Sequence, residues 1–177
     1  MEPNVTDAIH LRQYRADDVN DVFREMLITI HTEVYADVMD DEFNQRFPWF
    51  VGHWSDMDGF TCVVAYDGRE PVGFIYGAPL AAGREWWRDH ITPAPESPST
   101  FAVSELMVRP AWQKRGYSTR LHDELVSDRP EALAVLLVDT EHPRVQALYE
   151  SWGYAKVGDR RPFADSPLYA VMVRELS

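Results

Sequence analysis

Val108-Arg109-Pro110-Ala111-Trp112-Gln113-Lys114-Arg115-Gly116-Tyr117-Ser118-Thr119 decides how the chain is read. Before it, Phe101-Ala102-Val103-Ser104-Glu105-Leu106-Met107-Val108 is rich in strand formers, and Pro110 stops the strand. After it, Leu121 and Leu125 sit at helical spacing in Thr119 to Val126. A strand that turns into a helix points successive backbone N–H groups outward. The helix start adds partial positive charge, so the turn is a seat for a pyrophosphate. Gly116 lets the backbone approach such a group closely, Ser118 and Thr119 offer hydroxyl donors, and Lys114 and Arg115 supply charge. On spacing alone, a capped helix with two solvated cations describes the segment as well. Gly-x-x-x-x-Gly-Lys-Ser/Thr is absent, so this is not the phosphate loop of a nucleoside-triphosphatase.

Elements of both kinds alternate on either side. Downstream, Ala132 to Val138 is nearly continuously apolar, as in a strand buried on both faces. Pro143 suits the first turn of a helix that brings Val145, Leu148 and Trp152 near one face, with Gly153 as C-terminal cap. Strands follow near Ala155-Lys156-Val157 and Leu168 to Val173. Upstream, Ile9 to Tyr14 alternates as a strand. Phe23, Leu27, Ile30 and Val34 predict a helix from about Asp18 to Val38, and Phe47, Phe50, Val51 and Trp54 a second from Glu42 to Trp54. Thr61 to Tyr66 and Pro71 to Gly77 flank Asp67-Gly68, a hairpin signal. Residues 79–99 are irregular, broken by Pro79, Pro93, Pro95 and Pro98, and contain Trp86-Trp87. The pattern is α/β or α+β.

The chain has 177 residues, 45% hydrophobic and 26% charged, enough to bury a core in one domain spanning 1–177. Its net charge is −12, which argues against nucleic acid and against anionic membranes and favours a cationic small partner; solubility alone would also account for it. The single cysteine, Cys62, forbids an internal disulfide and reads as a small buried residue. The histidines are scattered, so no metal site is expected. Met1 to Asp7 is acidic with no apolar leader, and no apolar run reaches about 18 residues, so a soluble cytoplasmic protein is expected.

The central segment resembles motif A of the GNAT superfamily of acyl-CoA N-acyltransferases, Gln/Arg-x-x-Gly-x-Gly/Ala, with Gln113, Gly116 and Ser118 at the marked positions. Further on, His142-Pro143-Arg144-Val145-Gln146-Ala147-Leu148-Tyr149-Glu150-Ser151-Trp152-Gly153-Tyr154 is similar to the family's Asn-x-x-Ala-x-x-Leu-Tyr-x-x-x-Gly-Phe. Leu148, Tyr149 and Gly153 match. Ser118, His142 and Val145 depart from the pattern, and His142 replaces the usual Asn. The resemblance implies a mixed central β-sheet of about six to seven strands flanked by about four helices.

It also implies acetyl transfer from acetyl-CoA to a primary amine by direct attack, without a metal. The cofactor would lie on Met107, Val108, Gln113, Lys114, Arg115, Gly116, Tyr117, Ser118, Thr119 and His142. A backbone N–H near Met107 or Val108 would polarise the carbonyl. Tyr149 would protonate the leaving thiolate; a core tyrosine is the plainer reading of that residue. Glu105 is the candidate base, since an amine of pKa about 10 must lose a proton before attack. A Glu paired with a nearby cation is the plainer reading there.

In the family the acceptor lies near the first helices. Here Glu33, Asp37, Asp40, Asp41, Glu42, Asp56 and Asp58 face only Arg46 in charge, and Glu33, Asp37 and Asp40 or Asp41 fall at helical spacing. We therefore expect a small cationic amine held by Glu33 and Asp37, with Trp86 and Trp87 as a lid; a solvated helix face and a pinned loop are the plain alternatives. A protein or peptide acceptor, or a non-catalytic acyl-CoA-binding module, stands behind this expectation. A homodimer is compatible with it.

Overall fold

In the computed structural model the described residues are 9–176; the acidic segment Met1–Asp7 read above lies outside them. The elements are β1 (Ile9–Arg15), α1 (Asp21–Val34), α2 (Glu42–Gln45), α3 (Phe47–Ser55), β2 (Thr61–Asp67), β3 (Glu70–Pro79), β4 (Thr100–Val108), α4 (Tyr117–Val126), β5 (Leu133–Asp139), α5 (Pro143–Ser151), β6 (Ala155–Arg160) and β7 (Tyr169–Glu175). The strands form one mixed sheet in the order β1-β2-β3-β4-β5-β7-β6, the α/β architecture expected. Contacts divide the chain into two units, Met1–Ala78 with Glu105–Ser127, and Pro79–Ser104 with Asp128 onward.

In the first unit β1, β2 and β3 form an antiparallel meander. The β2–β3 turn is Gly68-Arg69, one residue later than Asp67-Gly68 suggested, with Gly68 at φ 60°. Phe23, Leu27 and Ile30 are buried on α1, and Leu121 and Leu125 on α4, so their spacing picked the inward faces. His31 stacks flat on Phe47 (ring centroids 3.9 Å apart), and burial lowers its pKa to about 4. Cys62 is fully buried, and burial raises its thiol pKa.

Two helix expectations are corrected. The first helix is shorter than Asp18 to Val38. Asn20 caps it by accepting from Phe23 N (2.8 Å), and it ends at Val34. A separate 3₁₀ turn covers Ala36–Val38, and Asn44 Nδ2 and Gln45 Nε2 donate to Val38 O (3.1 Å) and Met39 O (3.0 Å). Glu33, Asp37, Asp40 and Asp41 therefore do not share one helix face. The second helix divides at Arg46: Asp41 caps α2, and Pro48 has no N–H to continue the ladder into α3.

In the second unit β5 lies between β4, which it meets in parallel, and β7, which is antiparallel; β6 pairs β7 antiparallel. The irregular segment 79–99 is anchored by Trp87, fully buried, whose Nε1 donates to Thr100 Oγ1 (2.9 Å). Burying an aromatic of this size contributes roughly 4–6 kcal/mol before entropy is counted. Glu85 accepts from Gly83 N (2.6 Å) and pairs with Arg88, whose hydrogen bond holds that carboxyl below its usual range. Val145 and Leu148 on α5 stay 41% and 39% exposed, so their spacing marks no buried face.

Candidate active site

The turn after β4 is built from its own backbone and a few fixed side chains. Arg109 N donates to Val72 O (2.8 Å), tying the end of β4 to β3. The Arg109 guanidinium binds the carboxylates of Glu33 and Glu70 (2.7 Å to the latter) and lies over the Trp112 ring. Trp112 Nε1 donates to Asp67 (3.0 Å). Gln113 Nε2 donates back to Val108 O (2.8 Å), and its backbone N–H is given to Pro110 O (3.3 Å). Gln113 therefore braces the loop in this structure. Lys114 (φ 63°) and Gly116 (φ 83°) both take the left-handed conformation, which only the glycine adopts without strain.

Gly116 caps α4 with no side-chain bond, and the first intrahelical bond is Arg120 N to Gly116 O (3.2 Å). The amides of Tyr117, Ser118 and Thr119 thus precede the helix's own ladder and can be offered to an anion. Ser118 and Thr119 are half-buried beside them, while Lys114 and Arg115 are exposed and enter no ion pair among the described residues. Uncapped amides, two unpaired cations and a left-handed glycine suit a pyrophosphate.

Glu105, Met107 and Val108 lie on β4, upstream of this turn. The parallel ladder with β5 runs from Thr100↔Leu133 to Val103↔Leu136, and β4 continues beyond it to Val108. Met107 and Val108 are buried. Glu105 keeps some open surface, yet protein closes around it, and burial raises its carboxyl pKa to about 8. No cation pairs with it among the described residues, which removes the plainer reading. A carboxyl poised near 8 can accept a proton close to neutral pH.

The acceptor-side expectations divide. Glu33, at the end of α1, is committed to Arg109, a partner on a distant part of the chain that its own neighbourhood does not announce. Asp37 is exposed on the 3₁₀ turn. In the second unit Trp87 is core, its N–H used internally, which corrects the expectation that it stacks on an acceptor. Trp86 is half-buried.

Tyr149 and His142 also belong to the second unit. Tyr149, on α5, is half-buried and meets Trp152 (5.2 Å) and Tyr154 (6.0 Å) edge-on. Gly153 ends that helix at φ 93°, as its cap position suggested. His142 is exposed at the start of α5, its Nε2 3.6 Å from an Asp139 carboxylate oxygen. Among the described residues no three side chains cluster to hold a metal ion.

Sequence reading gave no role to Arg109 or Gly73. For Gly73 a signal was present, because a glycine inside a strand marks a bulge or a close backbone approach. Arg109 had none, since its partners lie 39 and 76 residues away.

The profile of the acetyltransferase (GNAT) family matches residues 20–154. No curated protein sequence matches the chain. Solved structures share the fold at low identity. A GNAT-family acetyltransferase from Bacillus cereus is 14% identical, with a TM-score of 0.63 over 94% of this chain and 96% of its own. Arabidopsis thaliana NAA60, solved with a bisubstrate analogue, is 16% identical with a TM-score of 0.68 over 94% and 98%. The NatC complex bound to Gag peptide and CoA contains a chain 13% identical, with a TM-score of 0.65 over 96% and 99%. With well over half of its length matched by the family profile, the chain belongs to the GNAT family, whose chemistry is acyl transfer.

Proposed function

We propose that the protein transfers an acetyl group from acetyl-CoA to the primary amine of a small cationic acceptor. The observation that carries this reading is the uncapped start of α4 behind left-handed Gly116, in the same unit as Glu105, whose carboxyl pKa is raised by burial and which has no cation partner among the described residues. The amides of Tyr117, Ser118 and Thr119 bind the pyrophosphate, with Lys114 and Arg115 supplying charge. A backbone N–H at Met107 or Val108 donates to the thioester carbonyl oxygen and stabilises the charge that builds on it. Glu105 takes the amine proton, directly or through water. The nitrogen bonds to the carbonyl carbon, the carbon–sulfur bond breaks, the sulfur leaves with the electron pair, and the surplus proton on the new amide nitrogen passes to solvent. Tyr149 is proposed as the acid that protonates it, on the strength of the motif in which it stands.

The acceptor is proposed to be cationic because the stretch from Glu33 to Asp58 is strongly acidic, with Asp37 and Asp40 exposed. A cytoplasmic setting suits both the thioester and the single buried thiol, Cys62. The test is thiol release from acetyl-CoA over a panel of polyamines, amino sugars, neutral amines and peptide N-termini, beside a thermal shift with acetyl-CoA. At about 100 times its dissociation constant the ligand adds roughly 2.7 kcal/mol, a clear rise in melting temperature. Turnover confined to cationic small amines supports the reading, and turnover confined to peptides replaces it. Stabilisation with no turnover on any amine leaves a binding module; no stabilisation at millimolar acetyl-CoA removes the seat.

A further inference from the structure

We propose that Gly73 is a positioning residue for acyl transfer, its missing side chain setting the β4 peptide that meets the thioester carbonyl. The inference rests on the β4 donor named under the proposed function. A Cβ at Gly73 would lie 2.8 Å from Met107 O and 3.2 Å from both Val108 Cα and Val108 Cγ2. The closest of these is backbone and cannot swing aside. No positive φ requires the glycine here, so the reason for it is space. Gly116 is the opposite case: its φ demands glycine, while a Cβ there would meet nothing within 4 Å.

The consequence for catalysis follows from peptide planarity. Met107 C=O and Val108 N–H belong to one rigid peptide unit, so whatever moves the carbonyl moves the N–H with it. Gly73 bounds that unit on one side, and the bond from Arg109 N to Val72 O holds the next residue (2.8 Å). Neighbouring residues of β3 therefore set two successive steps of β4. An oxyanion donor works only within about 2.7–3.1 Å, so a shift of a few tenths of an ångström takes it out of range.

The test compares Gly73→Ala with Gly52→Ala, which adds the same methyl where nothing lies within 4 Å. Three quantities are read: kcat, the dissociation constant of CoA, and the ¹³C-carbonyl stretch of bound acetyl-CoA. CoA lacks the carbonyl and reports the pyrophosphate seat alone. For Gly73→Ala the expectation is a fall in kcat of at least about tenfold, by loss of one oxyanion donor, with CoA affinity held within about threefold. The lowered carbonyl frequency of the wild type should revert toward that of free acetyl-CoA, and Gly52→Ala should match the wild type in all three.

A Gly73→Ala protein that keeps both the frequency shift and kcat overturns the role of Gly73 and leaves the β4 donor standing. A wild type with no frequency shift overturns the donor reading itself, whatever Gly73→Ala does. If circular dichroism shows Gly73→Ala unfolded, Gly73→Ala/Val108→Ala is read by the same criteria, because it removes the Cγ2 contact but keeps the 2.8 Å contact with Met107 O that displaces the peptide.

Discussion

Gly116 to Thr119 offers backbone amides at one fixed turn, whereas Glu33 to Asp58 offers carboxylates spread over helix ends and turns. Both lie in the first unit, and both were singled out from sequence. The amides at the start of α4 are left uncapped behind left-handed Gly116, as a strand–turn–helix reading requires, because they are consecutive backbone groups. The acidic stretch does not stand as read. Glu33 is bound by Arg109, Asp41 caps α2, and Asp56 lies 3.7 Å from Arg24. Asp37, Asp40, Glu42 and Asp58 remain exposed. Backbone amides are placed by the local turn alone, while carboxylates are reassigned by whatever tertiary partners arrive.

Glu105 is the proposed base acting on the acceptor beside the bound thioester, so its loss should have the largest effect. Glu105→Gln should lower kcat/KM by about a hundredfold or more while leaving CoA affinity near its wild-type value. With an acceptor amine of low pKa, wild-type kcat/KM should rise with pH and level above about 8, and the variant should lack that limb. Stability should move the other way. The folded carboxyl titrates near 8 and the unfolded one near 4.5, so between these values the native state binds more protons. Stability then falls as pH rises through that window. Glu105→Gln removes this slope, and its melting temperature relative to wild type should climb from pH 5 to pH 9. A parallel pair of melting curves would show that Glu105 is not buried against ionisation.

Gly116→Val strikes the amide seat alone. The left-handed backbone strains any β-branched residue, at a cost of about 1–2 kcal/mol, and the turn relaxes to escape it. CoA should bind about tenfold more weakly, by calorimetry, with the amine KM little changed. Equal losses on both substrates would mean that seat and acceptor stretch are not separable.

Arg109 joins the two regions physically, through Glu33 on α1 and Glu70 and Pro71 O on β3. Arg109→Met should keep the contact with Trp112 but free both carboxylates. Each partly exposed ion pair is worth up to about 1 kcal/mol, so a fall in melting temperature of a few degrees is expected, shrinking in high salt. Both substrate KM values should rise by a few fold. A change confined to the amine would mark Glu33 as acceptor-side after all.

How much could be read from sequence follows the same division. The strand–turn–helix from Phe101 to Val126 was legible because its signals are local: an apolar run, Pro110, Gly116, then Leu121 and Leu125 at helical spacing. The single long helix through Val38 was wrong because a 3₁₀ turn, bonded to Asn44 and Gln45, continues the apolar spacing without continuing the helix. Trp87 could not be told from a lid, since stacking on a ligand and pinning a loop need the same residue. Burial decided it.

The smallest effect should come from Asp37→Asn/Asp40→Asn, which probes what is left of the acidic stretch. Both side chains are exposed, so each contributes a weak, screened attraction to a cation. The amine KM should rise about two- to fivefold at low ionic strength, with kcat and CoA affinity unchanged. The difference from wild type should vanish near 0.5 M salt, where the screening length falls to about 4 Å. A neutral amine should not feel the change at any salt. If it does, the carboxylates act through the shape of the turn and not through charge. If neither amine does, the acidic stretch is a solvated surface, and acceptor recognition rests on residues nearer Glu105.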